Sequence, residues 1–335
     1  MKIKSIKFSL FAGFILATFS VGFYQPSFAQ NAKPFAPAAL PGNALSHFDF
    51  FYAGEAKQEN MYIVRNGKIV WSYTHPTSGE ISDAVMLSNG NILFAHQHGI
   101  TEVTQNKKVV WNYDAPEGTE IHTGQPIGKK YVIFVQNSNP AKLIVMKKKD
   151  NSIVKELVLP TANPASIHGQ FRHARLTASG TILVSHMDMG NVCEYDSNGK
   201  LLLTIDAPGV WGAEPLKNGN FLITTRNNIT EVNRKAEVVW EYSLQASSDY
   251  QIRSPQVSIR LANGNTIISN WFNQWSNAVI DNNNQPLQAI EVSPTKKVVW
   301  VLRSWNEPTN LGPSTIIVPL DEPRTTEKVF FGDIH

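Results

Sequence analysis

The sequence contains a single cysteine, Cys193, so no intrachain disulfide can form and the fold must be held by packing and hydrogen bonds. A charge surplus is also missing. Lys and Arg number 30 against 27 Asp and Glu, and three of the lysines (Lys2, Lys4 and Lys7) fall in the first 29 residues, which hold no acid. The rest of the chain balances at 27 against 27. A neutral surface excludes a nucleic-acid partner, which needs Lys and Arg in excess to neutralise phosphate. It equally excludes attraction to an anionic membrane. Sustained helical periodicity is absent, as are a Gly-x-Ser-x-Gly elbow and a phosphate-cradling glycine loop. General disorder is excluded by composition, with 42% hydrophobic and 17% charged residues.

Residues 1–29 have the form of an export signal. Three lysines precede an apolar stretch over residues 8–23, and Ser27-Phe28-Ala29 offers a small-x-small cleavage pattern. The stretch is shorter than the ~20 residues a spanning helix needs, so no membrane partner is expected after cleavage. The mature chain is expected in the periplasm or outside the cell. Residues 30–45, rich in Ala and Pro, read as a flexible lead-in, and residues 46–335 as one domain. Cys193 reads as a core residue.

Two phrases recur. Asn89-Gly90-Asn91, Asn218-Gly219-Asn220 and Asn263-Gly264-Asn265 each precede a β-branched or aromatic run, with degenerate copies at Gly128 and Gly180. Asn-Gly favours the positive φ of tight hairpin turns, so each phrase joins two antiparallel strands. The second phrase is Lys68-Ile69-Val70-Trp71, repeated at Trp111, Trp240 and Trp300, with weaker copies at Ser152 to Lys155 and Lys200 to Leu203. Four short strands in every ~40–50 residues form a propeller blade. Aligning the copies gives blades at about 81–113, 121–158, 171–206, 211–243 and 254–302, with the Asn-Gly turn between strands a and b and the Trp on strand d. A sixth blade combines residues 51–71 with 314–320, so the two termini close the ring. The expected fold is an all-β, six-bladed β-propeller, with seven blades as the alternative if residues 328–332 join another sheet.

These phrases resemble those of quinoprotein-like and arylsulfotransferase-like β-propellers over about residues 50–320. Quinone-dependent members carry a larger ring and a vicinal cysteine pair. With Cys193 alone, a quinone cofactor is not expected here. For an arylsulfotransferase, the resemblance implies a histidine nucleophile in a pocket of His, Asn and Arg.

If the Asn-Gly turns lie on one face, the starts of strands a and the ends of strands b ring the other. That reasoning selects Asp83, His96, Gln125, Gln136, His168, Arg172, Arg175, His186, Trp211, Glu214, Arg226, Asn270 and Trp271 as ligand-binding candidates, with Trp275 nearby. The segment from His168 to Arg175 concentrates four groups that can be cationic within eight residues, which calls for an anionic partner or a solvent channel. His122 and His173 are the catalytic candidates, as base or nucleophile. A divalent metal is admitted at His96, His98, His122, His186 and Asp188. The pocket is expected to bind a polar or anionic small molecule or a saccharide, because arginines grip anions and indoles stack on sugar rings. Two alternatives use the same ring: a His-dependent lyase or sulfotransferase-type enzyme, and a scaffold for a protein partner.

Overall fold

A computed structural model of the chain describes residues 34–335 except 55–59, 78, 246–248, 273–279 and 323–326. The expected signal segment and Trp275 lie outside the described residues. Six four-stranded antiparallel sheets follow one another around a ring. Blade 2 holds β4 (Asp83–Met86), β5 (Ile92–Ala95), β6 (Gly99–Val103) and β7 (Val109–Asp114). Blade 3 holds β8 (Glu120–Ile127), β9 (Tyr131–Asn137), β10 (Ala141–Lys147) and β11 (Ser152–Leu159). Blade 4 is β12 (Phe171–Leu176), β13 (Ile182–His186), β14 (Asn191–Tyr195) and β15 (Leu201–Asp206). Blade 5 is β16 (Val210–Pro215), β17 (Phe221–Thr225), β18 (Asn228–Val232) and β19 (Val238–Ser243). Blade 6 is β20 (Pro255–Arg260), β21 (Thr266–Asn270), β22 (Ala289–Val292) and β23 (Val298–Leu302). Blade 1 joins the two ends of the chain: β24 (Ile316–Pro319) lies beside β1 (Phe50–Gly54), followed by β2 (Asn60–Arg65) and β3 (Lys68–Thr74). The protein is a six-bladed β-propeller closed by its own termini, an arrangement that leaves only short sheet edges.

Local chemistry sets the strands. Each a–b turn places its glycine at positive φ, between 55° and 88° for Gly128, Gly90, Gly180, Gly219 and Gly264, which a side chain would resist. The apolar core sits between sheets, in clusters such as Ile127, Val145, Leu176 and Tyr195. Cys193 is buried in that same cluster.

The repeated phrases build a clasp between neighbouring blades. The strand-d indoles donate Nε1–H to a carbonyl or amide oxygen beyond their own blade: Trp71 to Gln105, Trp111 to Asn151, Trp240 to Pro294 and Trp300 to Ala44, at 2.7–2.9 Å. In blade 3 the weaker phrase ends in Lys155, whose Nζ still reaches the Ser197 carbonyl at 2.6 Å. Beside these residues runs a buried glutamate on strand c. Glu102, Glu194, Glu231 and Glu291 each accept from the turn residue Asn91, Thr181, Asn220 or Asn265. Each also meets a cationic or ionisable group from beyond its own blade, namely Lys148, Arg234, Arg260 or His47.

Of the lead-in expected over residues 30–45, the described part lies against the ring. Phe35 and Ala36 are buried, the Phe35 carbonyl accepts from Gln251, and a short 3-10 turn over Ala44–Ser46 meets Trp300. Beyond β24 the C-terminal segment runs along the a–b turns. Glu322 accepts from the Ala262 amide, Glu327 from that of Ser88, and the Gly332 amide donates to Gly180. Residues 328–332 form no seventh blade; Phe331 is fully buried between blades 3 and 4.

Candidate functional site

On the side of the ring opposite the a–b turns, the innermost strands share an irregularity. In β8 the pairing with β9 jumps from Ile121 to Thr123, so His122 is the extra residue of a bulge. In β12 it jumps from Phe171 to His173, which frees Arg172, and in β16 from Val210 to Gly212, which frees Trp211. A similar shift in β20 spans Gln256 and Val257. A bulge leaves one residue outside the ladder and re-aims its side chain.

Two groups of ionisable side chains meet there. The first contains Glu80, Glu120, His122, His168 and Arg172. His122 is fully buried, with Nε2 at 2.7 Å from Glu120 Oε2, Nδ1 at 3.1 Å from Ser82 Oγ, and Nδ1 at 3.6 Å from Glu80 Oε2. His168, half exposed, puts Nδ1 at 2.9 Å from the same Glu120 oxygen and Nε2 at 3.5 Å from Glu80 Oε1. Arg172 donates through Nη2 to His168 Nε2 at 2.6 Å and lies 3.7 Å from Glu80. It also reaches the His168 and Phe171 carbonyls, and its guanidinium stands 5.6 Å from the Trp211 ring centre.

Burial and the Arg172 charge push His122 down to about 3, against the pull of Glu120, so the imidazole is neutral at pH 7. Partial burial works to raise Glu120, but hydrogen bonds from His122, His168 and Gln97 outweigh it and hold the carboxylate ionised. Perturbed groups of this kind gather at functional sites.

The second group is a strut through four blades. Asp83, with no exposed surface, accepts both Nη groups of Arg175 at 2.6 and 2.7 Å, the Thr123 hydroxyl at 2.8 Å and the Gly124 amide at 3.2 Å. Burial would raise its pKa, but Arg175 more than offsets this and holds it below the ordinary carboxylate value. Glu214 meets Arg175 Nε and His173 Nε2, each at 3.2 Å, while His173 Nδ1 lies 3.1 Å from the Ala213 carbonyl.

Other candidates take different places. His96 bonds Thr101 at 3.0 Å and packs on His75, and burial followed by His75 lowers it to about 3. His186 bonds Tyr195 at 3.0 Å, and burial lowers it to about 4. Gln125 accepts from the Leu176 amide, Gln136 donates to Ser138, and Asn270 accepts from the amides of Arg253 and Ser254. Arg226 is exposed, and Trp271 is half-buried with its amide on Ser254.

The structure does not bring the expected metal set together. His98 is exposed, and Asp188 accepts from the amides of Ala162 and Asn163. Of His96, His98, His122, His186 and Asp188, only His122 belongs to the group of possible ligands among the described residues, which is Glu80, His122 and His168. The physical reason is strand position. His96 directly follows strand b of blade 2 and His186 ends strand b of blade 4, one strand away from the axis, and both turn to a strand-c partner in their own blade.

Sequence reasoning missed Glu80 and Glu120. Glu120 carried a signal, since it stands two residues before His122 and an i, i+2 pair shares a strand face. Glu80 lies in the loop before β4 and carried none.

No protein-family model matches the chain, and no curated protein matches it. Among solved structures, it is similar to a protein of unknown function from Bacteroides caccae, at 22% identity and a TM-score of 0.70, over 82% of this chain and 100% of that one. It is also similar to a streptogramin B lyase, at 13% identity and a TM-score of 0.53, over 83% of this chain and 88% of the lyase. The WD40 β-propeller domain of Doa1 matches at 12% identity and a TM-score of 0.50, over 66% of this chain and 71% of that domain. Likeness at these identities is one of fold, and it sets this chain among the β-propellers.

Proposed function

We propose that the protein is an exported propeller that takes a polar or anionic small molecule, or a saccharide, on the side opposite its a–b turns. The observation that carries this reading is the gathering of Glu80, Glu120, His122, His168 and Arg172, contributed by the loop before blade 2 and by blades 3 and 4. Trp211, half exposed next to Arg172, adds an aromatic face of the kind that stacks on sugar rings. Export rests on the form of residues 1–29. The finer kinship, with quinoprotein-like or arylsulfotransferase-like propellers, rests on the Asn-Gly-Asn and Val-Val-Trp phrases.

A second reading is a His-dependent lyase or sulfotransferase-type enzyme. It is favoured by His122, a buried neutral imidazole oriented by Glu120, as a general base requires. His173 is held between Ala213 and Glu214, which leaves His122 as the stronger candidate of the two.

The test is a thermal-shift screen of the mature protein with carboxylates, sulfate esters and saccharides. The expected result is saturable stabilisation that Trp211→Ala weakens. A panel with no hit overturns the reading. The enzyme reading predicts turnover of a hit that His122→Ala abolishes.

A further inference from the structure

The first group turns one nitrogen of each imidazole to Glu120 and the other towards Glu80. Glu120 Oε2 lies 2.7 Å from His122 Nε2 and 2.9 Å from His168 Nδ1. An ionised carboxylate only accepts, so both facing nitrogens carry their protons. Arg172 Nη2 donates to His168 Nε2, which agrees with that tautomer. The other ring nitrogens, His122 Nδ1 and His168 Nε2, face the two Glu80 oxygens at 3.6 and 3.5 Å, with Ser82 Oγ 3.1 Å from the first and Arg172 Nη2 donating to the second. Glu80, His122 and His168 can each offer one ligand atom, and these atoms lie within 4.8 Å of one another, with the Arg172 guanidinium at their edge.

We propose that Glu80, His122 and His168 bind one divalent transition-metal ion of the zinc, manganese or iron(II) class, with Glu120 as the positioning residue that orients both imidazoles. The inference deepens the ligand-site reading given above and rests on it. Atoms bound at about 2.0–2.2 Å to one tetrahedral ion are separated by about 3.3–3.6 Å; each imidazole lies at such a distance from one or the other Glu80 oxygen, and the three ligand atoms, within 4.8 Å of one another, would draw together around an ion. The donor set of two imidazoles and a carboxylate suits borderline metals, whereas magnesium and calcium prefer oxygen alone. A carboxylate receiving the distal N–H of each ligating histidine is the usual outer support of such sites. Charge agrees as well. Glu80 and Glu120 bring two negative charges, and Arg172 offsets one of them. Three protein ligands leave coordination positions for an anionic or hydroxyl group of the bound molecule.

The test uses the mature protein without a histidine tag, stripped with chelator and titrated with ZnCl2 and MnCl2 by calorimetry, with elemental analysis after dialysis. One equivalent of metal is expected. His168→Ala, at a half-exposed position that tolerates truncation, and Glu80→Gln should each weaken binding at least about 100-fold, and Glu120→Gln about 10–100-fold. His335→Ala, on the opposite side of the ring, should keep full affinity. Circular dichroism confirms that each variant is folded. No stoichiometric binding by the wild type, or binding unchanged in both His168→Ala and Glu80→Gln, overturns the proposal. Repeating the small-molecule screen on chelated protein separates the two ideas. Stabilisation without metal that Trp211→Ala weakens would keep the ligand site and discard the ion, whereas stabilisation that appears only with metal supports both.

Discussion

The two sides of the ring are built on opposite plans. Towards the a–b turns, blade after blade repeats one clasp: a buried strand-c glutamate bridges its own turn and a partner beyond its blade, next to a strand-d Trp that reaches outward. Where the phrase decays the clasp is kept by substitution, as Lys155 and Thr181 show. On the other side no position repeats. The bulged residues are His122, Arg172 and Trp211 in successive blades. Repetition holds a ring together because each interface poses the same problem. Divergence marks the place where the ring does something other than hold itself together, apart from one strut that both plans need.

That strut gives the largest expected effect. Asp83→Ala removes the bidentate partner of the buried Arg175, leaving it Glu214 alone, and should cost about 3–5 kcal/mol in chemical denaturation. A loss below about 1 kcal/mol would move Asp83 from the structural set to the ligand site.

Acid should act next, through histidines outside the proposed site. His96 and His186 titrate at about 3 and about 4 in the folded chain, below the ordinary 6.5. The unfolded chain therefore takes up protons first as pH falls. The stability tied to these residues is complete above about pH 6.5 and is lost as pH falls towards 4 and 3. The melting temperature should drop over that window, and His186→Gln should flatten the slope; an unchanged slope would show that His186 is not the sensor.

The clasp itself is tested by repetition. Glu194→Ala, Glu231→Ala and Glu291→Ala should each cost about 1–3 kcal/mol, because buried donors lose their acceptor. Values differing by more than that range would break the idea of one device used several times. Trp71→Phe and Trp240→Phe remove the N–H donor together with part of the ring at half-exposed positions and should cost about 0.5–1.5 kcal/mol.

The smallest effect is expected at the divergent side. His168→Ala, at a half-exposed position, should change stability by no more than about 0.5 kcal/mol. A larger loss would return His168 to the structural set.

The fold was legible because its signals are local. An Asn-Gly turn needs positive φ within two residues, and alternation within five residues defines a strand. Of the site, the strand-a starts were legible: His122, Arg172 and Trp211 stand where repeat alignment put them. The strand-b ends lie apart from the strand-a starts; alignment counts along the chain and does not show that strand b is one layer out. His96 Nε2 and the Asn270 side chain bond within their own blade or its loops.

The sequence by itself determined six blades, their order and the closing of the ring by its two ends, since turn chemistry and strand period are short-range properties. Only the tertiary structure decided that His122, Arg172 and Trp211 fall on bulges and that Glu80, Glu120 and His168 converge. A bulge depends on how two strands slip past each other. Residues 40 to 88 positions apart meet only because closing the ring brings the blade ends to a common axis, and no local pattern encodes that distance.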